Sequence, residues 1–279
     1  MSECTHDCSS CGQDCASRAQ EPVVPTADTK IKHIIGVLSG KGGVGKSMVS
    51  SLLAVELAQQ GYNVGIMDAD ITGPSIPKMF GLHQQLYGDE AGIFPAVSTL
   101  GIKIVSINMM LENEDDAVLW RGPILGGLIK QFYTEVHWGE LDYLLIDMPP
   151  GTGDIHISLV QDIPVSGAVI VTTPQNVALA DVEKGVNMFR NKSIAKPIYG
   201  LIENMSWFTP EAHPDERYYL FGRDGGAEMA ERFGLDLLGQ IPIVQGIREG
   251  GDSGEPVALG TRPDSLAFLD IARRLSAKV

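Results

Sequence analysis

Hydrophobic residues along this chain gather in short continuous runs, and the runs are separated by stretches with helical spacing. IKHIIGVLS (31–39) is apolar and β-branched and ends in glycine-rich sequence. The same texture returns at YNVGIMD (62–68), IKIVSIN (102–108), LDYLLID (141–147), GAVIVTT (167–173), KPIYGLIEN (196–204) and LDLLGQIP (235–242). Helical patterns fall at Lys46 to Gln60, ahead of a stop at Gly61, and near 123–136, 154–162, 178–191, 224–233 and 263–277. Near-continuous Val/Ile/Leu strands alternating with helices predict an α/β fold: a doubly wound, mostly parallel sheet covered on both faces. No linker interrupts residues 30–279, so they read as one domain. Residues 1–29 lack apolar periodicity and include the breaker run EPVVPTADT, which marks an irregular N-terminal tail and linker.

Composition narrows the function classes. The chain has 279 residues and a net charge of −14, of which the tail carries −4 and the remainder −10. Neither part presents the clustered Lys and Arg that a nucleic acid or an anionic membrane requires. No run reaches the ~18 apolar residues of a membrane span. The N-terminus has neither a basic nor an apolar signal region, so the expected location is the cytoplasm. All four cysteines (Cys4, Cys8, Cys11 and Cys15) lie in the tail, which excludes a disulfide-stapled secreted fold.

GKGGVGKS, Gly40 to Ser47, lies between the first strand and the first helix and satisfies the phosphate-loop pattern in its proper context. Gly40, Gly42, Gly43 and Gly45, with Val44 among them, let successive N–H groups turn inward around phosphate oxygens at a helix N-terminus. Lys46 is placed to reach the β- and γ-phosphates and the Ser47 hydroxyl to ligate Mg²⁺. Lys41 is a second lysine that the loop's own phosphates do not need. KGGVGKS matches the deviant Walker A signature and resembles MinD, ParA and the nitrogenase iron protein. That resemblance implies that Lys41 reaches a partner subunit's nucleotide; a solvated lysine is the alternative.

Strand-end carboxylates supply the remaining chemistry. Asp147 closes LDYLLID, where a strand's carboxyl edge meets the ligand crevice, and fits a Walker B aspartate on Mg²⁺. Asp68 and Asp70 close the strand leading into MDADITGPS. Asp70 is assigned to the attacking water and Asp68 to Mg²⁺. PPGTGD (149–154) reads as a mobile loop sensing the γ-phosphate. The guanine-type N-K-x-D signature is absent, which favours ATP. Asn204 is the candidate for the base edge and the loop after Pro242 for the base's face; a simple turn is the alternative for Asn204.

Taken together, GKGGVGKS, DADITGPSIPKMFG, WRGPILGGLIKQF, WGELDYLLIDMPPGTGD, TTPQNVALADVEKGVNMF and IENMSWF resemble the Mrp-type iron–sulfur cluster carrier ATPases. The resemblance spans about residues 31–260. It implies a homodimer that binds ATP, hydrolyses it slowly and carries a transferable 4Fe–4S cluster to apo-proteins. A spatial switch of the MinD or ParA type is the alternative. A membrane switch of that type would need a C-terminal basic amphipathic helix. The stripe Leu266, Leu269, Ala272 and Leu275 instead suggests packing on the sheet, because only Arg273, Arg274 and Lys278 accompany it.

One departure from the family pattern matters. The Cys-x-x-Cys pair usual after ENMS is missing, and SWFTPEAHPDERYYLFG stands there with Thr209, Pro210, Glu211 and His213. His213 reads as a solvent-facing loop histidine, since no soft ligand accompanies it. The tail's Cys-x3-Cys-x2-Cys-x3-Cys therefore becomes the candidate cluster site. Four thiolates so close together suit one compact centre. A 4Fe–4S cluster is the preferred reading, with zinc or a redox-active tail as alternatives.

Overall fold

A computed structural model describes residues 23–70, 73–110, 122–210, 212–256 and 263–279, and the tail cysteines lie outside them. The chain runs β1 (Lys30–Leu38), α1 (Lys46–Gln59), β2 (Val64–Asp68), α2 (Ile76–Met79), β3 (Tyr87–Asp89), β4 (Gly92–Phe94), β5 (Ala96–Val97), β6 (Lys103–Ser106) and a 3₁₀ turn (Ile107–Met110). It continues α3 (Gly122–Thr134), β7 (Glu140–Asp147), α4 (Asp154–Asp162), β8 (Gly167–Thr172), α5 (Asn176–Arg190), β9 (Ile198–Glu203), α6 (Gly225–Phe233), β10 (Leu237–Gln240), α7 (Gln245–Ser253) and α8 (Pro263–Ser276).

Eight strands form one sheet in the order β10-β9-β8-β1-β7-β2-β6-β5, while β3 and β4 pair separately. Within the large sheet only the β5–β6 pairing is antiparallel. Strand alternation sorts side chains into two cores. Ile34, Leu38, Ala168 and Ile170 face one side with Phe132, Trp138 and Phe189. Ile35, Val37, Val169 and Val171 face the other with Leu53, Phe268 and Ile271. Both faces of the central strands are thus covered, which is why their sequences read as continuous apolar runs. Helix α1 is buried from Val49 to Leu57 all round, because the sheet lies on one side and α2 and α8 pack on the others.

Three features depart from the sequence pattern. Helix α7 has the sequence QGIREGGDS, whose glycines and charges hide its helicity. The β3–β4 hairpin is too short to register as alternation. In α8 the buried stripe is Phe268, Ile271, Ala272 and Leu275, whereas Leu266, expected to head it, is 55% exposed. Core packing of this helix stands, one position round from where the Leu spacing put it. No helix among the described residues is long and apolar enough to cross a membrane.

At the opposite end, the linker lies against the domain. Val23 packs on the core, and the Thr26 and Thr29 hydroxyls donate to the Val136 carbonyl.

Candidate nucleotide site

Parallel pairing brings the strand ends into register. Asp68 lies opposite Asp147 across the β2–β7 ladder, and Ser106 opposite Asp68 across β2–β6. Val37, next to the phosphate loop, pairs with Asp147 on the other side. Residues far apart in sequence therefore meet at the carboxyl edge of the sheet, beside the start of α1.

Two glycines of the loop are dictated by their neighbours. A Cβ on Gly40 would lie 2.4 Å from the Cβ of Asp181, on α5. Gly45 caps α1 in the left-handed region (φ 82°), and a Cβ there would meet the Asn204 amide at 2.3 Å. Gly42 and Gly43 have open space where a Cβ would stand, and they line the open side of the loop.

Asp147 is the hub of the site and is fully buried. Its Oδ2 accepts hydrogen bonds from Lys46 Nζ at 2.7 Å and Ser47 Oγ at 2.6 Å, and its Oδ1 accepts one from Ser50 Oγ at 2.7 Å. Lys46 Nζ also stands 3.4 Å from Asp70 Oδ2, so one buried cation links two carboxylates. Asp68 accepts from the Asp70 amide (3.1 Å), the Ser106 hydroxyl (3.0 Å) and the Ile76 amide (3.4 Å). Burial, followed by the charge of Asp147, pushes the Asp68 carboxyl up to about 8. Burial thus favours the protonated form of Asp68 in the nucleotide-free protein.

Two adjoining cavities complete the site. The smaller, about 220 Å³, is lined by the phosphate loop from Lys41 to Ser47 together with Ser39, Asp70 and Pro150. The larger, about 630 Å³, is mostly apolar and has Met48, Asn204, Phe221, Pro242 and Ile247 on its walls. Gly45, Met48, Ser75 and Met79 line both. A polar end for phosphates opening into an apolar end for a flat base suits a nucleotide. Asn204 is buried, and its amide donates to the Val44 carbonyl at 2.8 Å, so it also holds the phosphate loop in place. Lys41 lies apart from the carboxylates and donates to Gln175 Oε1 at 3.2 Å, just before α5.

The structure thus gathers Gly40 to Ser47, Asp68, Asp70, Asp147, Asn204 and Pro242 at one edge. Sequence reading missed Ser50, Ser106, Gln175 and His156. The first three are single polar residues in apolar or polar runs and carry no motif signal. His156 follows PPGTGD closely, and that proximity was its one available clue. After the ENMS segment, Phe208 and Tyr218 pair their backbones and Arg217 stacks on Trp207. His213 faces solvent and lies 3.6 Å from Glu216.

Comparison with known proteins agrees with this geometry. Residues 30–276 match the family described as ParA, NUBPL iron-transfer P-loop NTPase. The iron–sulfur cluster carrier protein of Aquifex aeolicus is 49% identical over 89% of this chain and 68% of its own length. That of Methanocaldococcus jannaschii is 44% identical over 100% of this chain and 98% of its own. Among solved structures, a nucleotide-binding protein from Archaeoglobus fulgidus in complex with ADP superposes with a TM-score of 0.74 at 41% identity, covering 86% of this chain and 92% of that one.

Proposed function

This chain belongs to the NUBPL-type iron-transfer P-loop NTPase family, and on that premise we propose an ATP-driven iron–sulfur cluster carrier. It binds ATP with Mg²⁺, hydrolyses it slowly as a homodimer, and passes 4Fe–4S clusters to apo-proteins in the cytoplasm, without binding nucleic acid or membrane. The observation that carries the reading is the buried Lys46–Asp147–Ser47 constellation at the mouth of the phosphate loop.

The donor set fits Mg²⁺. Ser47, Asp147 and Asp68 offer hard oxygens that would hold the ion beside a bound nucleotide. Among the described residues no three His, Cys, Asp or Glu side chains form a metal cage of their own, and Mg²⁺ bound with a nucleotide needs none. When bound, the ion neutralises charge across the β- and γ-phosphates. Lys46 leaves its carboxylate partners for the phosphates, Asp147 and Ser47 hold the metal side, and Asp70 orients the attacking water. Lys41 donates to Gln175 of its own chain and would exchange that contact to serve a partner's nucleotide.

The cluster is cargo, held by Cys4, Cys8, Cys11 and Cys15. Anaerobic reconstitution with iron and sulfide tests the reading. The expected result is a charge-transfer absorption band and matched iron and sulfide content, both lost when the four cysteines become Ser. Uptake of zinc alone would refute it.

A further inference from the structure

The segment between Asp147 and α4 forms part of the phosphate cavity through Pro150, yet it has few ways to be held. Pro149 and Pro150 have no N–H to donate. On one side, the Met148 amide donates to Val37 (3.0 Å) and the Gly151 amide to Ser39 (3.0 Å), both at the end of β1. On the other side stands His156, the third residue of α4 and only 2% exposed. Its Nε2 lies 2.8 Å from the Pro149 carbonyl, and its own amide donates to Gly153.

A carbonyl oxygen can only accept, so Nε2 carries the proton and donates. Nδ1 has no hydrogen-bond partner and is buried. Burial, reinforced by Lys46 and opposed by the Pro149 and Gly153 contacts and by Asp70, keeps the ring below the usual histidine range and therefore neutral. A buried acceptor beside a loop that lines the phosphate site is a socket for a donor that arrives only when the loop rearranges.

We infer that His156 is a positioning residue for phosphoryl transfer: Nε2–H braces the 148–153 loop, and Nδ1 takes up a loop N–H or a water when nucleotide binds. This rests on the ATPase reading for its consequence but not for the brace itself.

Three variants separate the parts. His156→Gln keeps a donor that reaches Pro149, whereas His156→Asn and His156→Leu do not. Amide exchange at Gly151, Thr152 and Gly153 in the nucleotide-free protein reads the brace alone. It is expected to rise roughly 10-fold in Leu and Asn and to stay near wild type in Gln. Under saturating Mg²⁺–ATP, kcat is expected to fall about 10- to 100-fold in Leu and Asn with KM within about 3-fold, and Gln is expected to retain most turnover. The part of any acid-side fall in kcat that comes from protonating His156 is expected to be absent from the Gln variant, a change that a merely structural role would not produce. Unaltered exchange in Leu, or equal losses of kcat in Gln and Leu, would overturn the inference. If the wild type binds ATP without hydrolysing it, the ATPase reading fails while the exchange data still judge the brace. Should Leu not fold, the contrast between Gln and Asn decides.

Discussion

Two ion pairs of almost equal length sit at opposite edges of the same sheet. Lys46–Asp147 is 2.7 Å long with side chains 5% and 0% exposed; Lys32–Asp142 is 2.6 Å long with side chains 71% and 19% exposed. At the amino edge, Lys32 stands largely in water, which solvates its charge almost as well as Asp142 does, so the lysine is dispensable. At the carboxyl edge each charge has been taken out of water; removing Lys46 leaves Asp147 buried without its cation, and removing Asp147 leaves Lys46 with only the longer contact to Asp70. Distance alone does not rank these contacts. Burial does, and the buried pair is the one that a polyphosphate can exchange for its own charges.

The sharpest way to break this contrast is Asp147→Ala. It leaves Lys46 with Asp70 alone, 3.4 Å away, and removes the acceptor of three hydrogen bonds, so urea unfolding of the nucleotide-free protein should show a loss of about 3 kcal/mol. Lys32→Ala should change stability little. Comparable losses in the two variants would dissolve the distinction between the edges.

Next in size is the division between the loop's two lysines. Lys46→Ala is expected to weaken ATP binding by at least ~100-fold, as measured by calorimetry, because the phosphates lose a desolvated cation. Lys41→Ala should bind ATP nearly as wild type and slow its hydrolysis. Equal losses of affinity would remove the basis for assigning Lys41 to a partner's nucleotide.

A smaller effect of unusual sign is expected at Asp68. Its folded value of about 8 exceeds the ordinary 3.8, so the folded state retains a proton that the unfolded chain has released between those values. Stability from this site is therefore fully present below pH 3.8 and declines as pH rises through about 8. Asp68→Asn removes the penalty. It should stabilise the nucleotide-free protein by on the order of 1–3 kcal/mol at pH 8, with less gain at pH 5, while impairing Mg²⁺-dependent turnover. Thermal melts across pH would show it, and a gain independent of pH would contradict the assignment.

The least costly change belongs to the amino edge. His137 Nδ1 lies 3.0 Å from Asp28 of the linker, Nε2 lies 3.0 Å from the Ala91 carbonyl, and the ring stacks on Phe94. Both partners accept hydrogen bonds, so the favoured ring is the imidazolium. The bond to Asp28, then the Ala91 carbonyl, raises His137 above 6.5, while Thr26 first and His137 next hold Asp28 below 3.8. The histidine's contribution is complete below pH 6.5 and is lost as pH rises through its folded value. The aspartate's is present above 3.8 and is lost as pH falls through its own. Amide exchange in residues 23–29 should therefore be slowest between these limits and quicken at alkaline pH. His137→Ala should flatten that profile without altering ATP binding.

Much of this was legible along the chain because it depends on near neighbours. The strands announced themselves as apolar runs because helices cover both faces of the sheet, and Gly40 to Ser47 lie in one contiguous turn. Asp68, Asp70 and Asp147 were conspicuous as carboxylates ending hydrophobic strands. Ser50 was not, since a serine in α1 resembles any other until Asp147, 97 residues away, is folded onto it. Helix α7 is hidden because its glycines suppress the apolar period, and Leu spacing put Leu266 at the head of the α8 stripe where the structure has Phe268, with Ile271 against Gly239 of β10.

The sequence by itself determined the alternation of the main strands and helices, the phosphate loop and the types of chemistry at the strand ends, because period and glycine placement act over a few residues. Only the tertiary structure decided that Asp147 is shared among Lys46, Ser47 and Ser50, that burial raises the Asp68 carboxyl, and that His156 donates to Pro149. Those properties arise where strands distant in the chain pair in parallel and exclude water, and the charge state of a side chain depends on that exclusion more than on its neighbours in sequence.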